Sequence, residues 1–359
     1  ITQYLKLEKK LVAGARFAIS QIGYDARKMQ ELIWYLRDNG YQTPVIANIY
    51  LCTLGAARLM SRGGIPGCYL DKRLLALIEE ETKTADKGQA ARHLRAAKLV
   101  AIARGLGYAG VHIGGMGLSA EVLNCILDTA DELQGRWEQL ATEFDYGQAD
   151  GFYCYQPELD AQGQPTGLNA HEPAPRTEVR REHAILKTYG LSRFFHYWIL
   201  TQGKRGYKML EKVMDWRERK KGLHRSHGFE HLPKTMLYGC LDCGDCGLEP
   251  AVYTCPMTQC PKCQRNGPCG GSMNGWCEVY PNERYCIHFK AYHRLKKYNE
   301  LHKLDAYITP PNNWDFYETS AWSNYTHKRD NTAFRLSLPD DRSDPVADTA
   351  RNNQKREHS

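Results

Sequence analysis

No stretch of the 359 residues reaches about 18 uninterrupted apolar positions, the length a membrane-spanning helix needs. The most apolar run, Leu99 to Gly115, is broken by Arg104. Glycine shows no period and heptads do not persist, which excludes collagen-like and coiled-coil rods. The first residues lack the charged-then-apolar pattern of a secretory signal. They read as the middle of a helix, with Leu5, Leu7, Leu11 and Val12 among Lys6, Glu8, Lys9 and Lys10. With Ile1 in first place, an N-terminal part is expected to precede the chain. Acid is thin between His171 and Gly239, with 7 Asp and Glu against 15 Lys and Arg, so the net charge of +7 is concentrated there. Cysteine is scarce outside one short segment: Cys52, Cys68, Cys125 and Cys154 are scattered and read as small buried apolar residues. What remains, 42% apolar and 25% charged residues, is the balance of a chain that buries a core.

Residues 1–135 alternate helical and short apolar segments. The periodicity predicts helices over 1–13, 25–38, 53–61, 71–82, 87–105 and 121–133, with Met29, Leu32, Ile33 and Leu36 on one face of the second. Strands are expected at 17–21, 43–50 and 111–114. Strands alternating with helices of this length build a parallel sheet, so the fold class is α/β. Three βα units leave a parallel sheet poorly covered. The best fit is therefore the C-terminal part of a (β/α)8 TIM-type barrel, and an open doubly wound sheet comes second. Residues 136–239 read as a linker, loop-rich to Pro175 and then basic and helical. Phe194, Phe195, Trp198, Ile199 and Leu200 form an aromatic and aliphatic stripe there, expected to be a packing face. Residues 240–330 read as a small cysteine-rich metal-binding domain, and the polar 331–359 as a disordered tail.

Nine of the 13 cysteines fall in that domain: Cys240, Cys243, Cys246, Cys255, Cys260, Cys263, Cys269, Cys277 and Cys286. With no secretory signal, such a cluster argues for metal before disulfides. Thiolates two residues apart converge on one centre because a tight turn brings their sulfurs together. The neighbouring glycines let the backbone wrap closely. Two metals fit. Three cysteines at successive x2 spacings, with Cys-Pro steps downstream, resemble ferredoxin runs, and eight of the nine cysteines would supply two [4Fe–4S] clusters. The Cys240/Cys243 and Cys260/Cys263 pairs also suit a four-cysteine zinc site. His288 and His293 are alternative ligands, each read first as an ordinary surface or core histidine.

The run Lys10-Leu11-Val12-Ala13-Gly14-Ala15-Arg16-Phe17-Ala18-Ile19-Ser20-Gln21 resembles the methylenetetrahydrofolate reductase family, as do Ile65-Pro66 and Gly107-Tyr108-Ala109-Gly110-Val111-His112-Ile113. Separately, Cys243-Gly244-Asp245-Cys246, Cys255-Pro256-Met257-Thr258-Gln259-Cys260-Pro261-Lys262 and Arg265-Asn266-Gly267-Pro268-Cys269-Gly270-Gly271 resemble the cysteine-rich C-terminal domain that some of these reductases carry. Thr319-Ser320-Ala321-Trp322-Ser323-Asn324 and Arg329-Asp330 resemble its end.

The resemblance implies a flavin-dependent reduction of 5,10-methylenetetrahydrofolate to 5-methyltetrahydrofolate, in one-carbon and methionine metabolism, with FAD or FMN as the hydride source. It places Gln21 at the C-terminal end of a barrel strand as a folate contact, where its amide donates and accepts. Lys10 matches a lysine that reaches the flavin. The family's acidic catalytic group lies on earlier strands, so no catalytic residue is assigned. The Pro-Gly turn of the family reads Ala47-Asn48 here, and its folate-stacking aromatic has no counterpart. Electrons would be relayed through the iron–sulfur module from an electron-donor protein or a nicotinamide cofactor. The expected protein is an oligomeric cytoplasmic enzyme that binds no nucleic acid. The alternative is a zinc-stapled interaction module on an incomplete barrel that docks a separate catalytic subunit.

Overall fold

Four helices of the N-terminal half begin where a side-chain oxygen reaches back to its own first-turn amides. Asp25 accepts from Arg27 N at 3.0 Å, Thr53 from Ala56 N at 3.4 Å, Asp71 from Arg73 N at 2.6 Å and Ser119 from Val122 N at 3.3 Å. Each satisfies donors that a helix start leaves open. The computed structural model describes residues 2–65, 67–148, 151–175, 189–223, 228–266, 272–273, 275–305 and 308–336. In chain order the first half forms α1 (Thr2–Val12), β1 (Ala18–Ile19), α2 (Ala26–Asp38), β2 (Val45–Leu51), α3 (Leu54–Ser61), α4 (Lys72–Glu81), α5 (Gln89–Leu106), β3 (Gly110–Gly115), α6 (Ala120–Leu133) and α7 (Trp137–Ala141). There follow β4 (Tyr155–Leu159), β5 (Pro165–Pro173), α8 (Tyr189–Phe195), a π turn (His196–Leu200), α9 (Arg205–Lys221), α10 (Gly228–Tyr238), α11 (Pro256–Gln259), β6 (Ser272–Met273), β7 (Trp276–Cys277), α12 (Ile287–Lys297), α13 (Ala321–Thr326) and α14 (Asn331–Leu336). No helix among the described residues is long and apolar enough to cross a membrane.

The chain divides into two units: Gly14–Glu178, and Thr2–Ala13 together with Val179–Ser359. In the first, β1, β2 and β3 form a parallel sheet in that order, with Ala18 opposite Val45 and Asn48 opposite His112. Burial alternates along β2, where Val45, Ala47, Ile49 and Leu51 are all buried. α5 packs on β2, and its small or β-branched side chains Ala97, Val100 and Ala101 are fully buried. Gly107, at φ +86°, ends α5 in the left-handed conformation that suits glycine, and Tyr108 N bonds back to Ala103 O. On the other face of the sheet Ile19 is half exposed, and Asn48 Oδ1 stands 3.1 Å from His112 Nδ1.

The helices and strands of this half lie where the periodicity puts them. The architecture they make is mixed α/β with an open three-stranded parallel sheet. Tyr155–Pro173, expected to be loop, is an antiparallel hairpin that packs on α2. Asp160 closes its turn by accepting from Gln162 N and Gln164 N, and Gly163 takes φ +77°. Asn169 Nδ2 donates to Arg27 O at 2.7 Å. Of the segment 136–239, the hairpin falls in the first unit and α8–α10 in the second. The scattered cysteines also differ from expectation. Cys52 is buried, but Cys68 and Cys154 are half-buried and Cys125 is exposed on α6.

The second unit is mostly helical. α1 packs on α12 and on the turn at Leu301–Asp305, so the amphipathic helix at the start of the chain covers the cysteine-rich segment. Lys6 and Lys9 are buried there. The stripe at 194–200 splits: Phe195 lies 5.8 Å from Trp322 ring to ring, while Phe194 and Trp198 are exposed. Of the expected tail, residues 331–336 are helical, with Asn331 and Thr332 buried, and 337–359 lie outside the described residues.

Candidate metal centre

Around the first cysteines the backbone reverses in short steps, with Gly239, Asp242 and Gly244 all at positive φ. Gly244 has no alternative: a Cβ there would run into the carbonyl of Phe316. Asn324 Nδ2 holds the Gly244 carbonyl at 3.1 Å. The loop delivers Cys240, Cys243 and Cys246 to one pocket, and Cys255, immediately before α11, joins them. Pro256 starts that helix, where the missing N–H is no loss. Glu230 and Lys234 of α10 line the same pocket.

The four remaining described cysteines lie later in the segment. Cys260 and Cys263 flank a tight turn closed by Cys263 N to Cys260 O at 3.0 Å, and Gln264 N lies 3.5 Å from the Cys260 sulfur. Cys277 sits on the β6–β7 hairpin, with its N–H on Arg284 O, and Cys286 precedes α12 with its N–H on Gly275 O. The Cys286 thiol is pushed up by burial first, and the sulfurs of Cys260 and Cys277 add to it. Cys240, Cys243, Cys246 and Cys255 thus line one pocket, Cys286 lies within electrostatic reach of Cys260 and Cys277, and Cys263 within reach of both Cys260 and Cys255. Cys269 lies outside the described residues. None of the eight described cysteines of this segment is joined in a disulfide.

The donor chemistry suits a soft metal. Burial pushes the Cys243 thiol up to about 12 and the Cys246 thiol up to about 11. At Cys243 the sulfurs of Cys246, Cys255 and Cys240 reinforce the effect. Crowded sulfurs of this kind ionise together only around a cation, which reverses the local electrostatics. As they stand, no three or more His, Cys, Asp or Glu side chains among the described residues are drawn tightly enough around one point to hold an ion. Side-chain rotation of the pocket cysteines would have to close the set.

His288 is spoken for, with Nδ1 3.1 Å from Lys6 Nζ and Nε2 3.1 Å from Gln264 O. Burial, then the charge of Lys6, holds its pKa well below the ordinary histidine value, so it ties α1 to the module as a neutral ring. His293 packs against Phe289 and Tyr292. Gln21 follows β1, is exposed, and turns its carbonyl oxygen onto Ile22 N at 2.9 Å, which leaves the amide NH2 to donate. Lys10 is exposed on α1, in the second unit.

Sequence reasoning passed over the groups that brace the pocket. Asp245, 2% exposed, accepts from Arg265 Nη1 at 2.7 Å, Asn331 N at 2.8 Å, Asn331 Nδ2 at 2.6 Å and Asn313 N at 3.1 Å. Burial opposes its charge, but the bonds from Arg265 and Asn331 outweigh burial and hold the carboxyl below the usual range. The only signal in the sequence is its place between Cys243 and Cys246. Glu230 accepts from Ala321 N at 2.6 Å and Trp322 N at 2.8 Å, which caps α13. Its position in α10 carries no such signal.

Asp330 is 5% exposed, and burial, with the charge of Asp245 adding, raises its carboxyl to about 6 despite bonds from Thr332 and the charge of Arg265. A raised carboxyl makes the folded state bind the proton more tightly, so stability falls as pH rises from the unfolded value toward about 6. Asp330→Asn keeps an acceptor for Thr332 N and removes the charge. It is expected to stabilise by about 2–3 kcal/mol above pH ~7, with the gain vanishing below pH ~4. Thermal melts of both chains across that range check this, and a gain independent of pH would contradict it.

Neither a curated protein nor a solved structure matches the chain. Residues 222–315, which hold α10, all nine clustered cysteines and α12, match the family described as the methylene-tetrahydrofolate reductase C terminal.

Proposed function

We propose that this chain carries the metal-bearing C-terminal module of an oxidoreductase that reduces methylenetetrahydrofolate. The single observation behind this is the family match over the segment that holds every clustered cysteine. Cys240, Cys243, Cys246 and Cys255 would hold one [4Fe–4S] cluster, and Cys260, Cys263, Cys277 and Cys286 a second, with Cys269 as the ninth, unassigned sulfur. Such clusters carry single electrons, and a flavin would pair two of them into a hydride. In this reading β1–β3 are the last strands of a barrel, and the NH2 of Gln21, beyond the C-terminal end of β1, donates to the folate. Lys10, which would contact the flavin, is an exposed lysine of α1 in the second unit. The enzyme would be a cytoplasmic oligomer fed by a donor protein or a nicotinamide.

Protein purified anaerobically is expected to contain about eight iron and eight acid-labile sulfide per chain. Iron, sulfide and zinc analysis on one sample decides the matter. One or two zinc with no iron would sink the electron-relay reading in favour of a zinc-stapled docking module. The tight Cys260–Cys263 turn, with an amide near one sulfur, favours that second reading.

A further inference from the structure

We propose that Lys234 is the positioning residue whose charge balances the thiolates of Cys240, Cys243, Cys246 and Cys255. The inference rests on the metal-centre reading above, and it holds for either metal. Four thiolates around a zinc dication, or around an iron–sulfur core of the same charge, leave two negative charges in a partly buried pocket.

Lys234 lines that pocket and is 9% exposed. An ammonium so enclosed needs compensation. Its ion-pair partner among the described residues is Glu230, at 3.8 Å, beyond hydrogen-bond length. Both Glu230 oxygens already accept backbone N–H groups, from Ala321 at 2.6 Å and Trp322 at 2.8 Å. The carboxylate is thus committed to capping α13, and it balances the lysine only in part. Asp242, the other carboxylate lining the pocket, pairs with His231 at 2.7 Å, and the other groups there that can carry negative charge are the sulfurs.

The competing account makes Lys234 a plain helical partner of Glu230 four residues earlier, unconnected with metal. The two accounts separate in the full-length chain. Lys234→Met, Lys234→Arg and Glu230→Gln are reconstituted anaerobically beside the wild type. Metal retention is read by competition with bathophenanthroline for iron or pyridylazoresorcinol for zinc, and melting is followed on the metal-free chains. Lys234→Met is expected to hold metal about 10- to 100-fold less tightly, as loss of an outer partner of a metal ligand does. Lys234→Arg restores retention to within a few-fold, and the metal-free melting temperature of either variant stays near wild type. Glu230→Gln does the reverse, lowering the melting temperature while retaining metal. For an iron centre Lys234→Met also gives a more negative midpoint potential, because the lysine charge favours the added electron.

Wild-type retention in Lys234→Met overturns the proposal, as does metal loss that merely tracks melting across all three variants. A wild type that takes up no metal sinks the centre itself, a result distinct from either. Should Lys234→Met fail to accumulate, Lys234→Gln makes the same comparison.

Discussion

Cys243→Ser is expected to lose metal from the first cysteine set and to unfold the segment around it at temperatures the wild type survives. The thiol is half-buried and crowded by three other sulfurs, which burial alone pushes toward the protonated state. Only a bound cation makes that crowding favourable, so metal affinity and folding are one equilibrium. Binding of a structural metal is worth on the order of 10 kcal/mol, and removal of one of four ligands forfeits a large part of it. Serine is nearly isosteric but its hydroxyl is a poor ligand for a soft metal. Cys125→Ser is the control. Cys125 is exposed on α6, outside any sulfur set, and its replacement should change stability by no more than about 0.5 kcal/mol. Elemental analysis and circular-dichroism melts on both variants make the comparison. Equal metal content in Cys243→Ser and wild type would take Cys243 off the ligand set.

The second large effect is expected at Asp245→Ala. The carboxylate is the junction of the module: one oxygen takes Arg265 and the Asn313 amide, and the other takes the Asn331 side chain and amide. Removing it leaves the Arg265 guanidinium buried without its counter-charge and leaves two backbone amides unsatisfied. Breaking a buried pair by deleting one partner costs about 3–5 kcal/mol. In a unit of this size that lowers the melting temperature by on the order of 10 °C. Asp245→Asn should cost less, because its carbonyl still accepts from Asn331 while the charge on Arg265 goes unmatched. If both variants melt as wild type does, the network is not what holds the loop between Cys243 and Cys246.

These two sites differ in how they could be found. The cysteines stand out by spacing, because the donors of a soft-metal site would fall within a few residues of each other and few side chains substitute for sulfur. Asp245 does not. Its partners Arg265, Asn313 and Asn331 are distant in the chain, and no periodicity connects them. The grouping of the cysteines was equally hidden. Spacing pairs Cys240/Cys243 with Cys260/Cys263, yet the turn through Gly244 and the start of α11 bring Cys246 and Cys255 to the first pair instead.

By itself the sequence determined the local elements. Asp25, Thr53, Asp71 and Ser119 cap the helices they precede, Gly107 ends α5, and the alternation along β2 buries one face, all through contacts within a few residues. It determined too that nine of the 13 cysteines crowd one short segment. Only the tertiary structure decided which elements belong together: that α1 joins the cysteine-rich unit through Lys6 and His288, that the hairpin after Tyr155 folds onto α2, and that Lys234 shares a pocket with four sulfurs. The physical reason is that helix and strand periods specify a buried face but not what covers it. An amphipathic helix buries its apolar stripe against whichever surface matches it, however far along the chain, and a buried charge settles where distant groups compensate it.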